Sequence, residues 1–292
     1  MNGLLVLDKP AGMTSHDVVD IVRRATSERS VGHLGTLDPM ATGVLPLLLG
    51  NYTRLAQYFS TAEKTYEGAI RFGFATDTYD FDGTPAAAPR PLAQSLDELR
   101  CLASRFHGEM QQTPPVFSAK KINGVPAHKL ARAGKPVEVK PATIRIHHFE
   151  LLSLEGDTVC FTIQVSAGGY VRSVAHDLGA LAGCGAHLAT LRRTQAGPFT
   201  LAHALTLDEL KSLAGTPTAI RQWLPHPRTL LPHMPCVTVD EQTAGRIRNG
   251  MQVNLPDFSS AALLKVFTSP TDLLAIVRRV AGTLMQPVTV LN

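Results

Sequence analysis

A chain of 292 residues with 44% hydrophobic and 18% charged residues can bury a sizeable core, and it lies outside the composition of disordered or low-complexity chains. Its net charge of +4 is compatible with a polyanionic partner and too weak to demand one. The cysteines Cys101, Cys160, Cys184 and Cys236 form no Cys-x-x-Cys pair, which signals neither a zinc site nor a disulfide scaffold and points to reduced thiols. At the start of the chain the apolar run Leu4, Leu5, Val6 and Leu7 is broken at once by Asp8-Lys9-Pro10. That is too short for a signal peptide, and no later stretch is long enough to span a bilayer, so the expectation is a cytoplasmic chain without a membrane partner.

Ser15 precedes Val18, Ile21 and Val22, whose spacing predicts one apolar helical face behind an N-cap at Ser15. Residues 31–45 then form a loop punctuated by Gly32, Gly35 and Gly43. Tyr66, Ile70, Phe72 and Phe74 share a parity of two, which predicts a half-buried strand with Tyr66 on its core face. Ser95 with Glu98, and Thr206 with Glu209, are capping-box patterns that mark two helix starts. Lys120, Lys121, Lys129, Arg132, Lys135 and Lys140 crowd a Pro- and Gly-containing segment, with smaller basic groups at Arg192-Arg193, Arg246/Arg248 and Arg278-Arg279. Val159, Phe161, Ile163 and Val165 alternate as a second strand that ends at Gly168-Gly169. The helical pattern of Val171, Val174, Ala175 and Leu178 follows, which sets Arg172 near a strand-to-helix junction. Pro225, Pro227, Pro232 and Pro235 crowd a linker, after which residues 237–239, 262–267, 272–278 and 287–291 read as short strands and 240–248 as a helix. This irregular alternation predicts an α+β core around a mixed sheet with flanking helices, followed by a small β-rich unit.

Within the glycine-punctuated loop, Asp38 is a carboxylate with almost no polar competition. Pro39 biases it away from helical backbone, and the glycines permit the turns that present one side chain to a ligand. Such an aspartate either caps a turn or serves as nucleophile or base. Arg172 brings a guanidinium to a helix N-terminus, a place where an anion docks. Tyr66, on the core face of its strand, reads from pattern alone as a packing residue.

The run Gly32-His33-Leu34-Gly35-Thr36-Leu37-Asp38-Pro39-Met40-Ala41-Thr42-Gly43-Val44-Leu45 resembles the catalytic motif of the TruB family, the bacterial tRNA pseudouridine-55 synthases. Further stretches resemble the family's in the same order: residues 3–15, Lys64-Thr65-Tyr66, 76–83, 114–124, 168–179 and 186–193. One departure adjoins the motif's centre, Leu34 standing where a threonine is expected. The resemblance implies a pseudouridine synthase core over 1–230, with a thumb insertion at about 111–140, and a PUA-like RNA-binding domain over 231–292. It implies isomerisation of uridine to pseudouridine in the tRNA T-loop, with the target base flipped out of its stack and neither cofactor nor metal. Asp38 would assist cleavage of the glycosidic bond, Arg172 would hold it ionised, and Tyr170 would support the pair. Tyr66 would stack on the base with its hydroxyl placed to move a proton at the ribose, Leu191 would pack beside the base, and His33 would help displace neighbouring nucleotides. Lys9 and Met13 would face the same cleft, and Lys120 and Lys121 would contact phosphates of the tRNA partner, with the chain acting as a monomer. A noncatalytic tRNA-binding or RNA-folding protein would need only the basic surfaces. The His-containing pairs His16-Asp17, His147-His148 and His176-Asp177 are the weak case for a metal-dependent phosphohydrolase.

Overall fold

The computed structural model describes residues 1–291 except 119, 123, 134–136 and 258, with the backbone alone at 121, 126, 128 and 132. Lys135 and the side chains of Lys121 and Arg132 therefore lie outside the described residues. From the N-terminus, β1 (Gly3–Lys9) leads to α1 (Ser15–Thr26), β2 (Val31–His33), β3 (Thr42–Leu49) and β4 (Lys64–Phe72). Then come α2 (Leu96–Ala103), β5 (Gly108–Gln112), the hairpin β6 (Lys121–Ile122) and β7 (Val125–Pro126), and α3 (Ala127–Arg132). The long pair β8 (Ala142–Glu155) and β9 (Thr158–Val165) precedes α4 (Val171–Ala182), β10 (Ala186–Ala196), β11 (Phe199–Thr200), β12 (Leu205–Thr206), α5 (Leu207–Ser212) and α6 (Pro217–Arg221). The remainder is β13 (Cys236–Thr238), α7 (Glu241–Arg248), β14 (Val253–Asn254), β15 (Leu263–Phe267), β16 (Leu273–Ala281) and β17 (Leu284–Val290).

Among the described residues one sheet runs β12-β1-β3-β10-β4-β9-β8-β5, with β2 on β3 and β11 on β10. A second, separate sheet runs β13-β15-β16-β17-β14. Both are mixed: β1 with β12, β3 with β10, and β13 with β15 are parallel, and the neighbours β1 with β3 and β4 with β10 are antiparallel. The α+β expectation thus describes the molecule.

Burial explains the two kinds of strand pattern. In β1 and β3, Leu5, Leu7, Leu45, Leu47 and Leu49 enter the core formed with Val18, Val19 and Val22 of α1 and Val174, Ala175 and Leu178 of α4. Their alternate neighbours Leu4, Val6, Val44 and Leu48 enter another apolar cluster on the opposite face. A strand buried on both faces reads as an unbroken apolar run, which is the Leu4 to Leu7 pattern. β8 and β9 are covered on one face only, so Phe149, Leu151, Phe161 and Ile163 are buried while Glu150 and Cys160 are exposed.

Local capping follows the sequence with one shift. Both capping boxes form as read, Ser95 with Glu98 and Thr206 with Glu209. At α1, however, the cap is Thr14 rather than Ser15: Thr14 accepts from the Asp17 backbone, and the Asp17 carboxylate accepts from Thr14 at 2.8 Å. Ser15 is freed for a tertiary role described below. Phe74 also departs from expectation, because β4 ends at Phe72 and Gly73 turns the chain with φ 110°. Phe74 packs instead on His187, ring centroids 4.6 Å apart. No helix of the described residues is long and apolar enough to cross a membrane.

The proline-rich stretch before the second sheet is not a free linker. Leu230, Leu231 and Met234 are buried together with Phe267, Leu273 and Ile276 of the second sheet against Leu4, Val44 and Leu48 of the first and Tyr52 of the 3-10 turn after β3. Phe267 is fully buried, with the Arg228 guanidinium 4.4 Å from its ring centroid. Because this cluster is common to both sheets, Phe267→Ala should cost the whole chain about 3 kcal/mol, read in urea unfolding as one transition moved to lower denaturant. A two-step unfolding curve in which only the second step moves would mean that the sheets are energetically independent.

Candidate active site

The loop between β2 and β3 carries Asp38, and its shape is set by close backbone approach. Gly43 has φ 103°, and a Cβ there would lie 2.1 Å from the Arg193 carbonyl oxygen of the neighbouring strand, so glycine alone fits. The loop is tied down from α1: Ser15 Oγ accepts from the Leu37 amide at 2.8 Å and donates to the Leu37 carbonyl at 3.1 Å. Asp38 follows directly, and its carbonyl accepts from the Ala41 amide at 3.0 Å, closing a turn through Pro39. From beneath, Lys9 Nζ donates to the carbonyls of Pro10, Met13 and Pro39 at 2.8, 2.7 and 3.2 Å. Lys9 is fully buried, and burial pushes its amine down to about 8 although the Asp38 charge opposes that shift.

Arg172, the second residue of α4, is 4% exposed and meets the loop. Its Nη2 donates to Asp38 Oδ1 at 2.9 Å, and its Nε stands 2.9 Å from Oδ2 as an ion-pair contact. The same guanidinium donates to the carbonyls of Thr78 and Phe117, each at 2.9 Å, and Nη1 lies 3.4 Å from Asp80 Oδ2. Burial raises the Asp38 carboxyl above its ordinary value, and the Arg172 charge is the main influence drawing it back. The Asp38 side chain keeps 30% of its surface accessible, on the cavity side.

Two supports hold that guanidinium in place. Gln112 at the end of β5 accepts from the Tyr170 amide at 2.8 Å and donates to its carbonyl at 3.0 Å, bracing the start of α4, where Tyr170 gives no side-chain cap. Tyr79, between the two Arg172 acceptors Thr78 and Asp80, has φ 65° and stacks on His176 one helical turn after Arg172, centroids 3.8 Å apart. A tyrosine at positive φ is strained, and the stack with the Leu188 amide bond to the Tyr79 carbonyl at 3.0 Å over-determines it.

These elements enclose a cavity of about 410 Å³. Asp38, Arg172, Tyr66, Leu191, Tyr170 and His33 all line it, so six of the expected site residues converge from β2, the loop, β4, β10 and α4. Tyr66 and Leu191 are 6% and 7% exposed and lie on neighbouring antiparallel strands, with Arg193 directly opposite Tyr66. The His33 imidazole is held below its ordinary value by burial and then by the Arg193 charge, and burial raises the Tyr170 phenol. Leu34 lines the same wall and packs its side chain toward the second apolar cluster.

Other expected residues stand elsewhere. Lys9 does not face the cleft as expected, because its ammonium is spent on three buried carbonyls, and Met13 packs against the larger core instead of lining the cavity. Lys120 donates to the Lys140 carbonyl at 2.8 Å, outside the cavity, and the Lys121 side chain lies outside the described residues. His16, His147 and His148, and His176 sit on α1, β8 and α4, three separate elements. Ser15 was legible only as an N-cap, Lys64 only within a strand motif and Arg193 only within a basic pair, while Asp80 and Gln112 carried no individual signal. Each acts through a partner at least 22 positions away, Asp80 and Gln112 through Arg172 and Tyr170, except that Lys64 and Arg193 act by lining the cavity itself.

The family model described as the N-terminal domain of TruB family pseudouridylate synthases matches residues 23–171, and the tRNA pseudouridylate synthase B C-terminal domain matches 172–225. A tRNA pseudouridine synthase B of Solibacter usitatus (strain Ellin6076) is 44% identical over 294 residues, covering 100% of both chains. One of Pseudomonas paraeruginosa (strain DSM 24068 / PA7) is 41% identical over 268 residues, 91% of this chain and 88% of that one. Among solved structures, the archaeal box H/ACA sRNP Nop10-Cbf5 complex contains a chain that superposes with a TM-score of 0.70 at 25% identity, over 99% of this chain and 86% of that chain.

The buried ties beneath the Asp38 loop are measurable without any substrate. Ser15→Ala should lower the unfolding free energy by about 1–2 kcal/mol, and Lys9→Met, which leaves three carbonyls unpaired, by about 2–3 kcal/mol. Between pH 8 and 10.5 the unfolded chain binds more protons at Lys9 than the folded one, so this residue makes stability rise with pH across that window. Lys9→Met should remove its share of the rise. Losses below ~0.5 kcal/mol for both variants would mean that the loop is held by other contacts.

Proposed function

This chain belongs to the TruB family of pseudouridylate synthases, and we propose on that basis that it isomerises uridine to pseudouridine in the T-loop of tRNA. The observation that carries the reading at the level of chemistry is the Asp38 carboxylate, gripped by Arg172 at the wall of a cavity that also presents Tyr66 and Leu191. A cavity of about 410 Å³ is in the size range of small-molecule sites, and a nucleoside reaches it only after being turned out of the RNA stack.

In this reading Asp38 is the catalytic residue at the ribose. Ionised, it either attacks C1′ as N1 leaves and is displaced in turn when C5 bonds to C1′, or removes the C2′ proton as N1 leaves and returns it to C2′ when C5 bonds to C1′; in both routes the uracil turns in the pocket between the two steps. The proton lost from C5 balances the one gained at N1, so the reaction is an isomerisation that needs no external reagent. Arg172 keeps the carboxylate charged and fixes both of its oxygens, as a planar guanidinium fork does and an ammonium does not. Tyr66 and Leu191 supply an aromatic and an apolar surface on which the base turns, while Tyr170 closes the pocket at the start of α4. His33, its imidazole held below its ordinary value by burial, acts at the cavity wall on nucleotides beside the target. Lys120, Lys121 and the rest of the 111–140 insertion contact backbone phosphates. Residues 1–230 form the catalytic domain and 231–292 a PUA-like RNA-binding domain, in a monomeric cytoplasmic enzyme.

The test is mass spectrometry of uridine and pseudouridine in the T-loop after incubating the purified chain with an unmodified tRNA transcript. Asp38→Asn should abolish conversion while tRNA affinity stays near wild type, and appreciable turnover by that variant, checked for deamidation, would overturn the role of Asp38. Arg172→Lys should cut single-turnover rate by about a hundredfold or more. Because burial raises the Asp38 carboxyl above the usual 3.8, kcat/KM should climb with pH through an apparent pKa above that value as the carboxylate forms.

A further inference from the structure

We propose that Lys64 and Arg193 form a phosphate subsite in the cavity, which holds a phosphodiester flanking the target uridine; this rests on the reading of the chain as an RNA-acting isomerase. The cations that line the cavity differ in charge balance. The Arg172 guanidinium faces the two carboxylates of Asp38 and Asp80. Lys64 and Arg193 line the same cavity, and neither makes an ion pair with a carboxylate among the described residues.

Arg193 is fully buried, which makes its missing counter-charge costly. Its Nε donates to the Val44 carbonyl at 2.7 Å and its Nη2 to the Gly35 carbonyl at 3.0 Å, both neutral acceptors, and its Nη1 has no partner. Lys64 Nζ likewise donates to a neutral carbonyl, that of Ala62, at 2.8 Å. Burial and then the Arg193 charge push the Lys64 amine down to about 8, a shift that an anion between the two would reverse.

Gly35 lets the two cations pack together at the cavity wall: a Cβ there would stand 3.2 Å from Lys64 Cε, too close for it to stay in place, and 3.6 Å from Arg193 Nη1. The Gly35 φ of 112° keeps the position a glycine. A nucleotide spanning the cavity would therefore set its ribose against Asp38 and its base against Tyr66 and Leu191. Its phosphate would lie toward Lys64 and Arg193, away from the Asp38 carboxylate that repels it.

Filter binding of T-arm RNA hairpins tests the subsite, with one methylphosphonate linkage replacing the phosphate on the 5′ or the 3′ side of the target uridine. The wild-type chain should lose about tenfold in affinity for one of the two neutral linkages. Lys64→Met should lose about tenfold on the natural RNA, lose nothing further with that linkage, and bind with a salt slope reduced by about one; Lys64→Arg should restore most of the loss. If the wild-type chain binds both neutral-linkage hairpins as tightly as the natural one, or if Lys64→Met discriminates them as wild type does, the subsite is wrong. Isomerisation of the natural hairpin is measured in parallel. Conversion without linkage dependence overturns the subsite and leaves the activity standing, whereas linkage-dependent binding without conversion supports the subsite and removes the activity.

Discussion

The Arg172 guanidinium is the constraint around which the site is arranged. A buried guanidinium has five N–H donors and no route to water, so the surrounding chain must supply acceptors in one plane. Here they come from three places: the Asp38 loop, Thr78 and Asp80 after β4, and Phe117 after β5. Moving any one of these segments leaves a buried donor unpaired, so the ion pair locks distant parts of the chain into one geometry. The orientation of Asp38 is a by-product of that requirement.

Around this pair, packing divides the polar groups by role. Lys9 and Ser15 lie beneath the loop and act on its backbone, as does the half of Arg193 that bonds to Val44 and Gly35. Asp38, Tyr66, Leu191 and Tyr170 present side chains to the cavity. Among the described residues the second sheet supplies none of that cavity's lining, yet it shares an apolar cluster with β3, the strand that follows the loop, and with β1, which pairs with β3. Any loosening of that cluster is therefore felt by the strands from which Asp38 is hung.

Much of the local structure was legible because it depends on neighbours in sequence. Both capping boxes, the alternation of β9, the start of α4 and the elements of the second sheet follow from short-range hydrogen bonding and parity. The misreadings are equally instructive. Thr14 and Ser15 carry the same hydroxyl chemistry one position apart, and the choice between them was made by Leu37, 22 residues beyond Ser15, which uses the second hydroxyl. Phe74 kept the parity of β4 but lost its place when Gly73 turned the chain. The prolines from Pro225 to Pro235 suggested a linker, and the apolar residues between them bury it between the two sheets.

By itself, then, the sequence determined the fold class and, through the motif around Asp38, the family, and it singled out Asp38 as a candidate, because a glycine-rich loop with a single carboxylate is a local pattern. What only the tertiary structure decided is which charges are paired. Lys9, Lys64, Arg172 and Arg193 look alike in a sequence, as cations near motif edges. Their fates diverge because burial removes water as the default partner and leaves each to whatever acceptor the fold brings within about 3 Å: three carbonyls for Lys9, two carboxylates for Arg172, and neutral carbonyls alone for Lys64 and Arg193.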